Sequence, residues 1–272
     1  MEQLDKLEQL LEDLAEEIEP HMHLIKSFLD TIKLTDKPVS LFSATSMFPR
    51  VESIRIGIFN LAKVEEYYSI NILYRSLIEH FIKSQYLFLK TTEQKDDSIG
   101  ITYYLSGQEK EKYDYVKSIV KTYEAHNIDI SDHSDGIFKQ FNIDLDAKKI
   151  KELKNNAKQF FFKNMVTYVA TRMTKAGALE LSLLNTVLPA YSHLSSSVHG
   201  GATSVFASSY AEENITGILG GSVYMSLLTR LCSYILARKY NSEYAVLYSI
   251  TRRYMADFIQ NYVKDENENK KV

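Results

Sequence analysis

The chain has 272 residues, is 45% hydrophobic and 25% charged, and carries a net charge of −3 with a pI near 6.2. That is ordinary globular usage with room for a sizeable core, and it excludes a protein coated throughout for nucleic acid. The single cysteine, Cys232, excludes an intramolecular disulfide and a cysteine-rich zinc cluster, and fits a reducing compartment.

Only 10 glycines and 4 prolines punctuate the chain, which favours helices over a turn-rich β fold. The start, Met-Glu-Gln-Leu-Asp-Lys, lacks the basic-then-apolar pattern of a signal peptide, so a cytoplasmic protein is expected. Leu4, Leu7, Leu11, Leu14 and Ile18, then Met22, Ile25, Phe28, Leu29 and Ile32, predict a helix over 3–33 kinked at Pro20. Its first half is acidic (Glu2, Asp5, Glu8, Glu12, Asp13, Glu16, Glu17, Glu19) and reads as a solvated face or a partner site. A loop over 34–45 follows. Pro49 suits the first turn of a helix to about Tyr67, with Val51, Ile54, Ile58, Leu61 and Val64 on its apolar face. After a break near Ser69 a second helix runs to just before Thr91, and the two predict an antiparallel hairpin.

Residues 99–124 predict one or two tyrosine-rich helices, and 126–136 a polar loop. Ser131–Gly136 has the glycine of a calcium loop, but His133 stands where an oxygen ligand is needed, so a helix cap by Ser134 or Asp135 is the reading. Residues 147–161 form an amphipathic helix with Ala147, Ile150, Leu153, Ala157 and Phe161 inward. Lys148, Lys151, Asn155 and Lys158 line one flank, and across 139–163 lysines outnumber Asp144, Asp146 and Glu152. This is either a solvated face or a surface for phosphates. Short helices around Gly177, a helix over 190–199 stopped by Gly200-Gly201, and a turn at 203–210 come next. Residues 215–240 form a long apolar helix in which Gly217 and Gly221 allow close approach. Its uncharged run, Ile215–Thr229, ends at Arg230, short of the roughly 20 residues of a membrane span, so no membrane association is expected. A last helix covers 243–263, and 265–272 is a tail too polar to pack. With no repeat and no Gly/Ser linker, the expectation is all-α: a single multi-helix bundle over 1–264, its main body at 49–263.

The second helix of the hairpin carries polar chemistry on an apolar face. At about 100° per residue, Ile72, Arg75, Glu79, Ile82 and Tyr86 align, and Arg75 can pair with Glu79. A charged pair in such a stripe needs further partners. The later stretch Tyr191-Ser-His-Leu-Ser-Ser-Ser-Val-His-Gly200 offers them: Ser192, Ser195, Ser196 and His199 share a helical face, with His193 and Ser197 on the adjacent strip. In the resulting network Glu79 would orient a histidine and Arg75 would hold an anion, or the whole would be a satisfied polar core that sets bundle register.

Arg75-Ser-Leu-Ile-Glu79 followed by this serine–histidine stretch resembles a bacterial all-helical family of unknown function, which pairs an R-x-L-x-E helix with a later S-x-x-x-H segment. That resemblance implies a helical fold and no particular activity. Arg75-Ser-Leu-Ile-Glu-His80 is also similar to the R-x4-H motif of the HEPN superfamily. The HEPN resemblance implies a dimeric, metal-independent endoribonuclease of a bacterial defence or toxin–antitoxin system, without cofactor. Its substrate would be RNA, and its partner an antitoxin or defence-system protein. Arg75 would then bind the scissile phosphate and His80 would serve as general acid/base, with Glu79 and His199 as candidate catalytic neighbours. On a regular helix Arg75 and His80 lie about 140° apart, so the pair converges only near a helix end or across a dimer axis. His80 otherwise shares a strip with Leu73, Leu77, Ser84 and Leu87, as an edge histidine. The rival is a non-enzymatic module in which Arg75, Glu79, Ser196 and His199 stabilise the fold or bind a small anionic ligand. Facing Glu-x-x-His pairs and a Gly-rich phosphate loop are missing, and His21 and His23 give only two nitrogen donors. No metal site is predicted.

Overall fold

The structure, a computed structural model, describes residues 2–31, 46–96, 98–126, 128, 138–139, 146–176, 189–195 and 207–263. Among the described residues the regular elements are helices, as the composition predicts. Helix α1 (Glu2–Ile18) buries Leu4, Leu7, Leu14 and Ile18, and most of its acids face solvent. The Pro20 kink is a 3-10 turn, Glu19–His21, before α2 (Met22–Thr31), because proline has no N–H for the helical ladder.

Helices α3 (Met47–Lys63) and α4 (Tyr67–Gln94) form the expected hairpin, but the break falls at 64–66 rather than near Ser69. Glu65 takes left-handed backbone, φ 57°, and the Glu66 carboxylate caps α4 by accepting from the Ser69 N–H at 3.4 Å. Ser69 therefore belongs to the first turn. Helix α4 also continues past the expected stop at Thr91. It ends where Lys95, at φ 58°, donates its N–H to the Thr91 carbonyl.

Next come α5 (Ser98–Ile101), a π-helical turn over Thr102–Ser106, α6 (Gly107–Ala125), α7 (Ala147–Lys158) and α8 (Phe162–Ala176). Residues 189–195 are helical, and α9 (Ala207–Ala237) and α10 (Tyr244–Phe258) complete the order, with a closing π-helical turn over Ile259–Val263. The turn expected at 203–210 is in part the start of α9. The loops expected at 34–45 and 131–136, the stretches 177–188 and 196–206, and the tail 265–272 lie outside the described residues.

Helix α4 is the centre of the core. Ile70, Tyr74, Leu77, Ile78, Phe81, Ile82, Tyr86 and Leu87 are buried, and α3, α9 and α8 pack around them. Each large apolar side chain so buried contributes about 1.5–3 kcal/mol relative to exposure. Helix α9 is long and apolar enough to cross a membrane, yet Ile218, Val223, Met225 and Leu227 are buried in this same core. The close approach expected at Gly221 is present: the Tyr74 hydroxyl lies 2.7 Å from where a Cβ would stand. Gly217, by contrast, faces open space.

The α3–α9 seam holds a carboxylate that no periodicity announces. Glu52 accepts from Arg55 Nη2 at 2.5 Å and from the Ser226 hydroxyl at 2.5 Å, with Arg230 of α9 at 3.7 Å. Burial alone would raise this carboxyl, but Arg230, Arg55 and Ser226 together hold it below the usual 4.5. The acidic face of α1 is also partly used: Glu8 pairs with Lys63 at 2.7 Å, and Glu17 pairs with Arg253 of α10.

Two outcomes are expected. Gly221→Ala should lower stability by about 1–3 kcal/mol in denaturant melts, because the buried Tyr74 cannot give way. Gly217→Ala should instead raise it by about 0.5–1 kcal/mol through helix propensity. Glu52→Gln should cost about 3 kcal/mol, since it strands two guanidinium groups in the seam. The folded carboxyl titrates below its unfolded value, so its stabilisation is present above about pH 4.5 and lost as pH falls through the folded value. Denaturant melts from about pH 7 down to about pH 3 should therefore show a shallower acid loss in Glu52→Gln than in the parent chain.

Candidate functional site

Arg75 and Glu79 sit one turn apart on α4, where it leaves the core. Arg75 Nη2 lies 3.0 Å from Glu79 Oε1, with the side chains 19% and 36% exposed, so the pair stands at the rim of the bundle and not inside it. Ile72, aligned with the pair on one face, is itself exposed, whereas Ile82 and Tyr86 further along are buried. The partner that arrives is Tyr191, 112 positions downstream, whose hydroxyl donates to Glu79 Oε1 at 2.9 Å. Its ring lies 5.5 Å from the Arg75 guanidinium carbon and stacks on Phe162 of α8 with centroids 3.9 Å apart. Burial raises the Tyr191 phenol above its ordinary value, and the Glu79 carboxylate adds to that while Arg75 opposes it. One glutamate, one arginine and one aromatic pair thus tie α4, α8 and the 189–195 segment together.

That segment is anchored by Ala190 and Leu194, both buried. Ser192 and His193 are exposed and Ser195 is half-buried, and the contact that reaches Glu79 comes from Tyr191. The reason is helical phase: burying Ala190 and Leu194 turns Tyr191 toward Glu79 and leaves residues 192 and 193 outward. His193 packs its ring 5.0 Å from that of Tyr210 on α9. Ser196 and His199 lie outside the described residues.

His80 faces elsewhere. Its Nδ1 lies 2.8 Å from the Ser76 carbonyl, which can only accept, so Nδ1 carries the proton and Nε2 keeps its lone pair in the neutral ring. The ring borders an open cleft of about 330 Å³ lined by Pro49, Arg50, Ser53 and Ile54 of α3. Burial, then the charges of Lys83 and Arg50, push His80 below its ordinary value, against the Ser76 carbonyl and Glu79, which act the other way. Lys83 is pushed down by burial and by Arg50, while Glu79 and Glu111 pull it up, and its ammonium lies 5.8 Å from the Tyr103 ring centroid. The cations that act on His80 are therefore Lys83 and Arg50, not Arg75. The one sequence signal for Arg50 was its place directly after Pro49, in the first turn of a helix packed against α4.

The lysine-lined helix forms as α7. Asp146 caps it by accepting from the N–H groups of Lys148 and Lys149 at 2.7 and 3.1 Å. Ile150 and Leu153 pack on Tyr113, Val116 and Phe138, and Lys148, Lys151 and Lys158 are exposed, the last donating to Asn155. Among the described residues no group of three or more His, Cys, Asp or Glu could hold a metal ion.

The tie at Tyr191 can be measured. Glu79→Ala should remove the partner of both Arg75 and Tyr191 and lower stability by about 1–2 kcal/mol, discounted for exposure. That corresponds to a melting temperature about 2–4 °C lower. Tyr191→Phe keeps the stack and should cost about half as much. A double-mutant cycle between the two should show coupling of about 0.5–1 kcal/mol, and simple additivity would mean the hydrogen bond contributes nothing.

No curated protein and no solved structure matches the chain. A family model described as a family of unknown function (DUF5677) matches residues 42–215, a span that takes in α3, α4, the His80 cleft and the 189–195 segment. With the match covering more than half of its length, the chain belongs to this family of unknown function.

Proposed function

We propose that the chain is a non-enzymatic helical binding module for an anionic ligand, in which Arg75, Glu79 and Tyr191 act as a clasp. The observation that carries this reading is the commitment of Arg75. Its guanidinium is paired through Nη2 with Glu79 and lies against the Tyr191 ring, while its Nε is buried, so a scissile phosphate would meet a cation whose charge Glu79 already balances. The clasp holds the 189–195 segment on α4, and Arg50 lines the cleft beside His80.

One observation favours a second reading, a metal-independent endoribonuclease. The His80 pKa is pushed below its ordinary value, mainly by burial, and the ring borders an open cleft that Arg50 also lines. Such a ring can take the proton of a ribose 2′-hydroxyl as that oxygen attacks the adjacent phosphorus and the 5′-oxygen departs with a proton from water. The lysine face of α7 would then contribute phosphate contacts through Lys148, Lys151 and Lys158.

Single-stranded RNA incubated with the purified chain in EDTA separates the two. The binding module leaves the RNA intact. Cleavage that is abolished in His80→Ala, with the melting curve unchanged, would establish the nuclease and displace the first reading. A parallel loss in Arg75→Ala would restore Arg75 to the phosphate.

A further inference from the structure

We infer that two copies of the chain associate through charge, the acidic row of α1 on one copy lying against the lysine row of α7 on the other. The inference goes beyond the binding reading, which uses neither helix. Asp5, Glu12 and Glu16 stand on one face of α1, separated by seven and four positions, and all three are exposed. None of them pairs with a described cation, although their neighbours Glu2, Glu8 and Glu17 do. Lys148, Lys151 and Lys158 stand on one face of α7, separated by three and seven positions, and are exposed too. The ammonium groups of Lys148 and Lys151 meet no described carboxylate, and that of Lys158 reaches only the neutral Asn155. Both rows face solvent, so within one chain they do not meet. Their helices also pack in different places: α1 on α9 and α10, and α7 on α6.

The two rows match in spacing as well as in sign. Seven positions span about 10.5 Å on either helix. With the helices antiparallel, Lys158 comes level with Asp5, Lys151 with Glu12 and Lys148 with Glu16. The last step differs by about 1.5 Å, which a flexible lysine stem absorbs. With the helices parallel, only two of the three pairs come level. Each row also carries like charges within a turn, Lys148 beside Lys151 and Glu12 beside Glu16, and their repulsion is relieved when the opposite row docks. Every copy supplies one row of each sign, so a two-fold axis makes the contact twice and closes the assembly at two. Exposed ion pairs are individually weak and screened, so the association is sensitive to salt. A nucleic acid would engage the lysines alone, and the matched spacing on α1 favours a second copy.

Sedimentation equilibrium of the full chain tests this at about 0.05 M and about 0.5 M salt, where the screening length falls from about 13 Å to about 4 Å. The parent chain should be a dimer at the lower salt and a monomer at the higher. Lys151→Glu and Glu12→Lys each act at both contacts and should raise the dissociation constant at least about tenfold. An equimolar mixture of the two variants should dimerise like the parent, because the altered positions face each other with their signs exchanged. Circular dichroism confirms that each variant is folded. A parent chain that is monomeric at both salts, a dimer indifferent to salt or to the substitutions, or a mixture that stays monomeric overturns the inference. Mass that keeps growing with concentration overturns the two-fold arrangement. A monomeric parent that binds a short single-stranded oligoribonucleotide, with loss in Lys151→Glu and not in Glu12→Lys, assigns the lysine row to nucleic acid and also overturns it.

Discussion

A carboxylate enclosed by helices must meet positive charge or lose its own, and Glu52 meets two guanidinium groups. Arg55 comes from the same helix and Arg230 from α9, with Ser226 as a third donor. This contact sets the register between α3 and α9, since sliding either helix by one turn would separate charges that burial does not let stand alone. The two helices held this way pack around α4, and everything of chemical interest hangs from α4. The close contact of Gly221 with Tyr74 depends on the same register.

With α4 so placed, its polar residues divide by helical phase into two environments. Arg75 and Glu79 emerge on the side of α8 and meet Tyr191, which joins a hydrogen bond, a ring stacked on Phe162 and a guanidinium contact in one side chain. His80 and Lys83 emerge beside α3 and meet Arg50. The first group is charge-balanced and partnered, as a structural tie should be. The second sets His80 and Arg50 at an open cleft, where the charges of Lys83 and Arg50 both act on the imidazole. The contrast between them carries the functional reading more than any single motif does.

The R-x4-H spacing illustrates why a motif needs its context. Five residues on an unbroken helix cannot bring two side chains to one point, and α4 runs unbroken through both positions. Each residue instead finds a different partner helix. The lysines of α7 show the same principle from the other side: they are as exposed as the pattern implies, and α7 packs its apolar face on a small separate cluster with α6.

The all-helical class, the helical hairpin, the kink at Pro20 and the close approach at Gly221 were legible in the chain, because each depends on local chemistry: apolar periodicity, a missing N–H, a missing Cβ. The pairing of Arg75 with Glu79 and its meeting with the 190s segment were legible too, since the sequence itself spaces them one turn apart and offers a polar partner downstream. That Tyr191 makes the contact with Glu79 was decided by which way Ala190 and Leu194 had to face to be buried. The breaks at 64–66 and at Lys95 turned on left-handed backbone at Glu65 and Lys95, residues without the usual turn signature. Glu52 with Arg230, and His80 with Arg50, were settled by tertiary structure alone. In each pair the partners stand on different helices, and only the angle and register at which those helices pack decides which charges meet.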